Sequence, residues 1–199
     1  MPGGTVIIVG TDVAEVERGL LAGELTCPDC GCRLAPWGSS RWRSVRRAGG
    51  EERRRPRRSR CVGCSATHVL IWSDSLLRRR DLAAVIGEAL AAKATGVGHR
   101  AAAVLVGAPA STVRGWFRRF AANADAIRAW FTVLAHGLDP LLAPIAPTRS
   151  AFADAVEAVA VAARAASLRL APVPPWSFAS AASRGRLLSN TGCPWAAAV

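Results

Sequence analysis

The sequence predicts a mainly α-helical protein that carries one small β module. Two cysteine pairs lie in a stretch with few apolar residues, "CPDC" at 27–30 and "CVGC" at 61–64. From residue 82 to about residue 134 apolar side chains recur with the 3.6-residue period of packed helices. A third block, 150–168, repeats that period in alanine-rich sequence.

Taken in order, "TVIIV" at 5–9 reads as a short strand bounded by glycine. Asp12 with Glu15 three residues on marks a capped helix start that carries Val13, Val16 and Leu20 to about Leu21. Residues 1–26 are therefore a strand and a helix. Residues 27–72 hold the cysteines and end in a strand, "THVLIW" at 67–72. A segment so poor in apolar residues needs a metal to staple it. In "DLAAVIGEALAAK", Leu82, Val85, Ile86, Ala89 and Leu90 share one helical face. "GVG" at 96–98 ends that helix, and two short helices follow around a Gly-Ala-Pro turn, so 78–122 reads as one helical unit. Ile127, Trp130, Phe131 and Leu134 continue the period. After a "LDPLLAPIAPT" linker, Phe152, Val156 and Val159 mark one more helix, which gives helices over 123–170. Residues 171–199, rich in Pro, Ser and Gly, read as an irregular tail.

The formal net charge is +12, and residues 33–119 carry 19 basic against 5 acidic residues. Residues 41–60 alone hold ten arginines and two acids. Charge clustered inside the chain, away from its ends, points to a polyanion partner. No secretory signal is evident, because "TVIIVG" is too short and lacks a basic flank. No stretch reaches the roughly 18 uncharged apolar residues that span a bilayer, so no membrane partner is expected. A cytoplasmic, nucleoid-associated location follows, where thiols stay reduced and paired cysteines favour metal over disulfide.

Cys27, Cys30, Cys61 and Cys64 form C-x2-C-x30-C-x2-C. Four soft thiolates suit tetrahedral Zn(II), and a site with no open position is structural. The spacer exceeds the usual length, as expected if the arginine loop 41–60 is inserted in a zinc ribbon. Cys32 could stand in for Cys30, and His68 for Cys64; Cys193 stands alone. Reduced, metal-free pairs or a thioredoxin-like redox pair are the alternatives, although neither pair has a helix after it.

With Gly107 as the turn glycine, 78–122 reads as a helix-turn-helix DNA-binding domain. Ala103 is small where the helices cross, while Val113 and Trp116 are apolar positions of the second helix. Pro109 fits its first turn. Val113, Trp116, Phe117 and Phe120 line one face. The other presents Ser111, Thr112, Arg114 and Gly115 as candidate base readers, with Arg118 and Arg119 placed for phosphates. Arg100, Arg53, Arg54, Arg55, Arg57 and Arg58 are further candidate phosphate contacts, supplying salt-dependent affinity. Gly115 costs about 1 kcal/mol against Ala in a helix, which close approach of DNA would explain. Packed helices with a solvated arginine face are the plainer alternative.

The fold class is thus mainly α with a small β zinc ribbon: a tri-helical helix-turn-helix plus further C-terminal helices. The cysteine pairs followed by "GVGHRAAAVLVGAPASTVRGWFRRF" resemble the small zinc-ribbon and helix-turn-helix proteins of high-GC bacteria that are often encoded with insertion sequences. They also look like the N-terminal DNA-binding region of transposases, and "WSFASAASRGRLLSNT" at 176–191 is similar to a further piece of that pattern. The resemblance implies binding of double-stranded DNA, at transposon ends or as a transcription regulator, with a separate transposase as a candidate partner. It rests on the four cysteines and on Ser111 to Arg119.

Catalysis is not expected. Asp125, Asp139, Asp154 and Glu157 follow in helical or linker sequence, with no sheet to gather them round two metals. Asp154 and Glu157, one turn apart, read as solvent-facing. Trp130 and Phe131 are candidates for a homodimer contact, with core packing as the alternative. An RNA-binding zinc ribbon and a CxxC thiol oxidoreductase are the competing functions.

Overall fold

The computed structural model describes residues 5–189 and 194–197. Strand β1 (Thr5–Val9) is the short apolar run, and helix α1 (Val13–Ala22) follows it. Asp12 caps α1, its carboxylate accepting from the N–H groups of Ala14 at 2.8 Å and Glu15 at 3.1 Å. These are two of the four donors that a helix start leaves open. Val13 stays 58 % exposed, whereas Leu20 is buried.

Strand β2 (Leu34–Ser39) leaves the first cysteine pair, β5 (Arg57–Cys61) enters the second, and β6 (Thr67–Trp72) leaves it. With β1 they form one sheet in the order β1-β6-β5-β2. β1 runs parallel to β6, with Thr5 opposite His68 and Val9 opposite Trp72. The expected boundary at residue 26 therefore disappears, because residues 5–9 are an edge strand of the cysteine sheet. Behind it Val9, Leu20, Leu34, Leu70 and Trp72 pack with Cys27 and Cys61.

The arginine-rich segment is a hairpin rather than the open loop expected. Its strands β3 (Arg43–Arg47) and β4 (Gly50–Arg54) pair from Arg43 opposite Arg54 to Arg47 opposite Gly50. Ala48 and Gly49 make the turn, and Gly49 takes a left-handed φ of 77° that glycine adopts without strain. Val45 is the one buried side chain of the two strands. Backbone bonds moor the hairpin: Arg46 N–H donates to Arg80 O at 2.6 Å, and Leu82 N–H donates to Arg46 O at 2.9 Å.

Six longer helices follow: α2 (Ala83–Ala94), α3 (His99–Val106), α4 (Ala110–Ala121), α5 (Ala124–Leu138), α6 (Ala151–Ser167) and α7 (Pro175–Ala182). The described residues are thus a mixed α/β protein, with more strand than a small ribbon. The apolar faces of α2, α4 and α5 meet in one core, where Trp116, Phe120, Ile127 and Phe131 are at most 1 % exposed. α6 lays its alanine face, including Ala155, Ala158 and Ala162, against this core. Phe131 is wholly buried and Trp130 packs edge-on against it and near Trp195. Phe131 is therefore core, and Trp130 is half-buried against it.

Two expectations change at the end of the chain. Residues 175–182 are a helix, α7, inside what reads as an irregular tail, with proline at its first position. It docks because Gly87 of α2 has no side chain: a Cβ there would stand 2.0 Å from the Trp176 ring. Asp154 is 8 % exposed instead of solvent-facing. It accepts from Thr148 N–H at 2.5 Å and Thr148 Oγ–H at 2.6 Å, and pairs with Arg128 at 3.3 Å. The Thr148 bonds, with Arg128 adding, hold its carboxyl below the ordinary value of 3.8. Glu157 pairs with Arg164 on the surface. Cys193 and residues 190 and 191 of the family-like stretch lie outside the described residues.

Candidate metal centre and nucleic-acid interface

The two cysteine pairs are built by the same backbone pattern. Cys27 N–H donates to Cys32 O at 2.8 Å and Gly31 N–H donates back to Cys27 O at 2.9 Å; Cys61 N–H donates to Ala66 O at 2.9 Å and Ser65 N–H to Cys61 O at 3.1 Å. Gly31 and Ser65, at equivalent positions, both take a left-handed φ, 72° and 60°. Each turn thereby folds both of its sulfurs toward the other pair.

The sulfurs of Cys27, Cys30, Cys61 and Cys64 all lie within 4.8 Å of one another. Cys27 and Cys64 sulfurs are 3.7 Å apart, and those of Cys30 and Cys61 are 3.3 Å apart. A tetrahedron with metal–sulfur bonds of about 2.3 Å has edges of about 3.8 Å, so four thiolates here fit a closed metal site. Cys27 and Cys61 are buried; Cys30 and Cys64 are exposed. The Cys64 backbone N–H, with the Cys30 thiol and the Gly63 N–H, brings the Cys61 thiol down to about 6. Cys64 is pushed up to about 12: the Ala66 N–H lowers it, but the thiols of Cys61, Cys30 and Cys27 outweigh that.

Neither spare belongs to this cluster. The Cys32 sulfur packs on Gly63, where a Cβ would stand 2.6 Å from it. His68, 1 % exposed, stands behind Cys27 with its Nε2 3.5 Å from the sulfur and its Nδ1 2.5 Å from Thr5 Oγ. If Thr5 O–H donates to Nδ1, then Nε2 carries the proton and donates to sulfur, an outer-layer support for a thiolate ligand. Nothing in the sequence could show this link, because it depends on the pairing of β1 with β6. Asp29 lies close enough to Cys27 and His68 to form a second, sparser donor group.

On α4, Val113 and Trp116 are buried, and Gly107 ends α3 in a left-handed turn with φ 62°. Ala103 is buried where the two helices meet, and Pro109 stands just before the first turn of α4 as its cap. On the opposite side Ser111, Arg114 and Arg118 are exposed and Thr112 is half-buried. Among the described residues no side-chain hydrogen bond or ion pair engages these four. Arg119 instead folds back and donates to Gly115 O at 3.2 Å. A Cβ on Gly115 would stand 3.0 Å from that guanidinium, so the glycine makes room for Arg119. Arg100 is exposed at the start of α3.

The hairpin arginines divide into two groups. Arg54 pairs with Asp74 at 2.6 Å and with Glu52, and Arg57 pairs with Glu17 at 2.7 Å. Those two are held by acids of this chain and are not open cations. Arg53, Arg55 and Arg58 have no carboxylate partner among the described residues. A cleft of about 270 Å³ brings Arg46, Arg78, Arg79, Arg80 and Asp81 beside Pro109 and Thr112. Arg46 pairs with Asp81 at 2.5 Å, Arg80 with Glu51, and Arg79 donates to Leu188 O at 2.9 Å, which leaves Arg78 exposed and without a carboxylate partner among the described residues. Burial, with Arg119 nearby, lowers the Arg79 guanidinium below its ordinary value. Three of these arginines are a run, "RRR" at 78–80, whose position next to the helical unit was the available signal.

Among the described residues no helix is long and apolar enough to cross a membrane. Comparison of the chain with protein-family models, with curated proteins and with solved structures finds no match.

Proposed function

We propose that this chain is a non-catalytic, sequence-specific reader of double-stranded DNA with a structural Zn(II). The observation that carries the reading is the free polar side of α4. Ser111, Thr112 and Arg114 sit on the first turns of a helix whose apolar side is locked in the core, and among the described residues no side-chain hydrogen bond or ion pair engages them. In this reading α3, the Gly107 turn and α4 act as a helix-turn-helix, with α4 against base edges in the major groove. Arg78 in the cleft beside Thr112, with Arg118, then grips flanking phosphates and makes affinity salt-dependent. Cys27, Cys30, Cys61 and Cys64 hold the zinc, which fixes the sheet that carries the arginine hairpin. The meeting of all four sulfurs within 4.8 Å of one another supports a metal better than thiol exchange, which needs only the two sulfurs of one pair. The motif resemblance supports a mobile-element setting.

Selection from a random duplex pool tests the reading. A defined site should emerge. Arg114→Ala should then weaken binding by about 1–3 kcal/mol and relax preference at one base pair. A pool that yields no site, or an Arg114→Ala variant with unchanged preference, removes α4 as the reader.

A further inference from the structure

A second cleft, of about 450 Å³, opens where the base of the arginine hairpin faces the β1–α1 junction. Its walls are Thr11, Val13, Trp42, Arg53 and Arg55, and Trp72 lies at its floor. Trp42 is 53 % exposed, although an indole is among the most costly side chains to leave in water. It does not belong to the small core behind the sheet, where the partly buried neighbours are Ile7, Val16 and Leu25. Covering the core therefore does not explain it.

What stands round the ring is cationic. The Arg53 and Arg55 guanidinium carbons lie 5.3 and 5.9 Å from the Trp42 ring centroid. Among the described residues Arg53 has no carboxylate partner, and Arg55 donates to Ser40 O at 3.2 Å. Glu52 also lines the cleft, but Arg54 and Arg47 pair with it. Arg54 in turn is fixed by both oxygens of Asp74, at 2.6 and 2.7 Å. Carboxylate charge at the floor is thus matched, and the open charge at the rim is positive. An indole that is 53 % exposed, with guanidinium groups over its ring that no carboxylate among the described residues pairs, is chemistry that holds a nucleobase and its phosphate: the base takes the open part of the ring and the phosphate draws the guanidinium groups. The volume falls in the range of small-ligand clefts and suits one nucleotide. A base still paired in a duplex could not enter, since its faces are covered by its neighbours.

We infer that this cleft takes an unpaired nucleotide, with the base stacked on Trp42 and its phosphate held by Arg53 and Arg55. The site is separate from α4, so the chain engages a place where duplex gives way to single strand. The inference extends the DNA reading above, but its chemistry stands on different residues.

Fluorescence anisotropy separates the two. The probes are one labelled blunt duplex carrying the selected site, the same duplex with a short single-stranded overhang, and a thymidine oligomer of roughly 12 nucleotides. The overhang should tighten binding about tenfold or more over the blunt duplex. Trp42→Ala should abolish that gain and leave blunt-duplex affinity unchanged, while Trp42→Phe, which keeps a ring, should retain most of it. Equal binding of overhang and blunt duplex overturns the inference and leaves the duplex reading intact. So does a Trp42→Ala variant that weakens both probes alike. Binding of the thymidine oligomer through Trp42 without duplex binding upholds the inference and overturns the duplex reading; no binding of any probe overturns both. A ribonucleotide oligomer of uridines that binds through Trp42 more tightly than the thymidine one assigns the cleft to RNA and removes the DNA junction.

Discussion

The cysteine sheet and the helical body are held together by different means. The helical body closes over a continuous core in which Trp116, Phe120, Ile127 and Phe131 are sealed from water. Behind the sheet, seven of the described residues form the buried core, and two of them are cysteines of the four-sulfur cluster. Around it, ion pairs such as Arg57 with Glu17 and Arg54 with Asp74 take the place of apolar contact. The lesson is that one half is closed by apolar packing, whereas the other has so small a core that an ion held by its four cysteines would add much of its stability. The density of arginine in its strands, where Val45 is the one buried side chain of β3 and β4, is the reason it builds no larger core.

The sharpest way to break this contrast is to remove the metal. Cys61→Ser, or a strong chelator, should empty the site and unfold the sheet, because metal binding and folding of such modules are one equilibrium. Metal analysis should fall from one equivalent to none, and amide exchange should accelerate across residues 34–72. Protection in α2, α4 and α5 should persist; its loss would show that the helical body leans on the sheet. The opposite cut is Trp116→Ala, which should cost about 3–5 kcal/mol of helical stability by denaturant unfolding. Bound metal should stay at one equivalent before the unfolding transition.

The smallest effect tests a polar latch within the apolar half. Asp154 has its folded value below its ordinary one, so its contribution is present above 3.8 and lost as pH falls through the lowered folded value. Asp154→Asn should lower the melting temperature at neutral pH. The gap between variant and parent should close on acidification below 3.8; a gap that is constant with pH would mean the carboxylate charge contributes nothing.

Local determinants made part of this legible in the sequence. The faces of α2 and α4 depend on residues three and four apart, so Val85, Ile86, Val113 and Trp116 could be placed without knowing their partners. The cysteine spacing likewise foretold four sulfurs that meet. What escaped was non-local or masked by charge. β1 pairs with a strand 63 residues away, a contact that periodicity in neither segment encodes. The hairpin hid because Val45 is its single buried side chain, although "AGG" at 48–50 is a turn signal. Asp154 looked solvent-facing on its own helix, since its partner Thr148 comes from the preceding linker. α7 was obscured by prolines, one of which starts it.

The bond from Thr5 to His68 and on to Cys27 gives the first strand a reach beyond the row of residues it covers. Pulling that strand away would uncover a ladder of unsatisfied amides on β6 and free an imidazole to turn from the sulfur it steadies. The hold that these four sulfurs would have on an ion is thereby tied to whether one short edge stays zipped, so that a tug on that strand would be felt at the far side of the sheet as a looser thiolate.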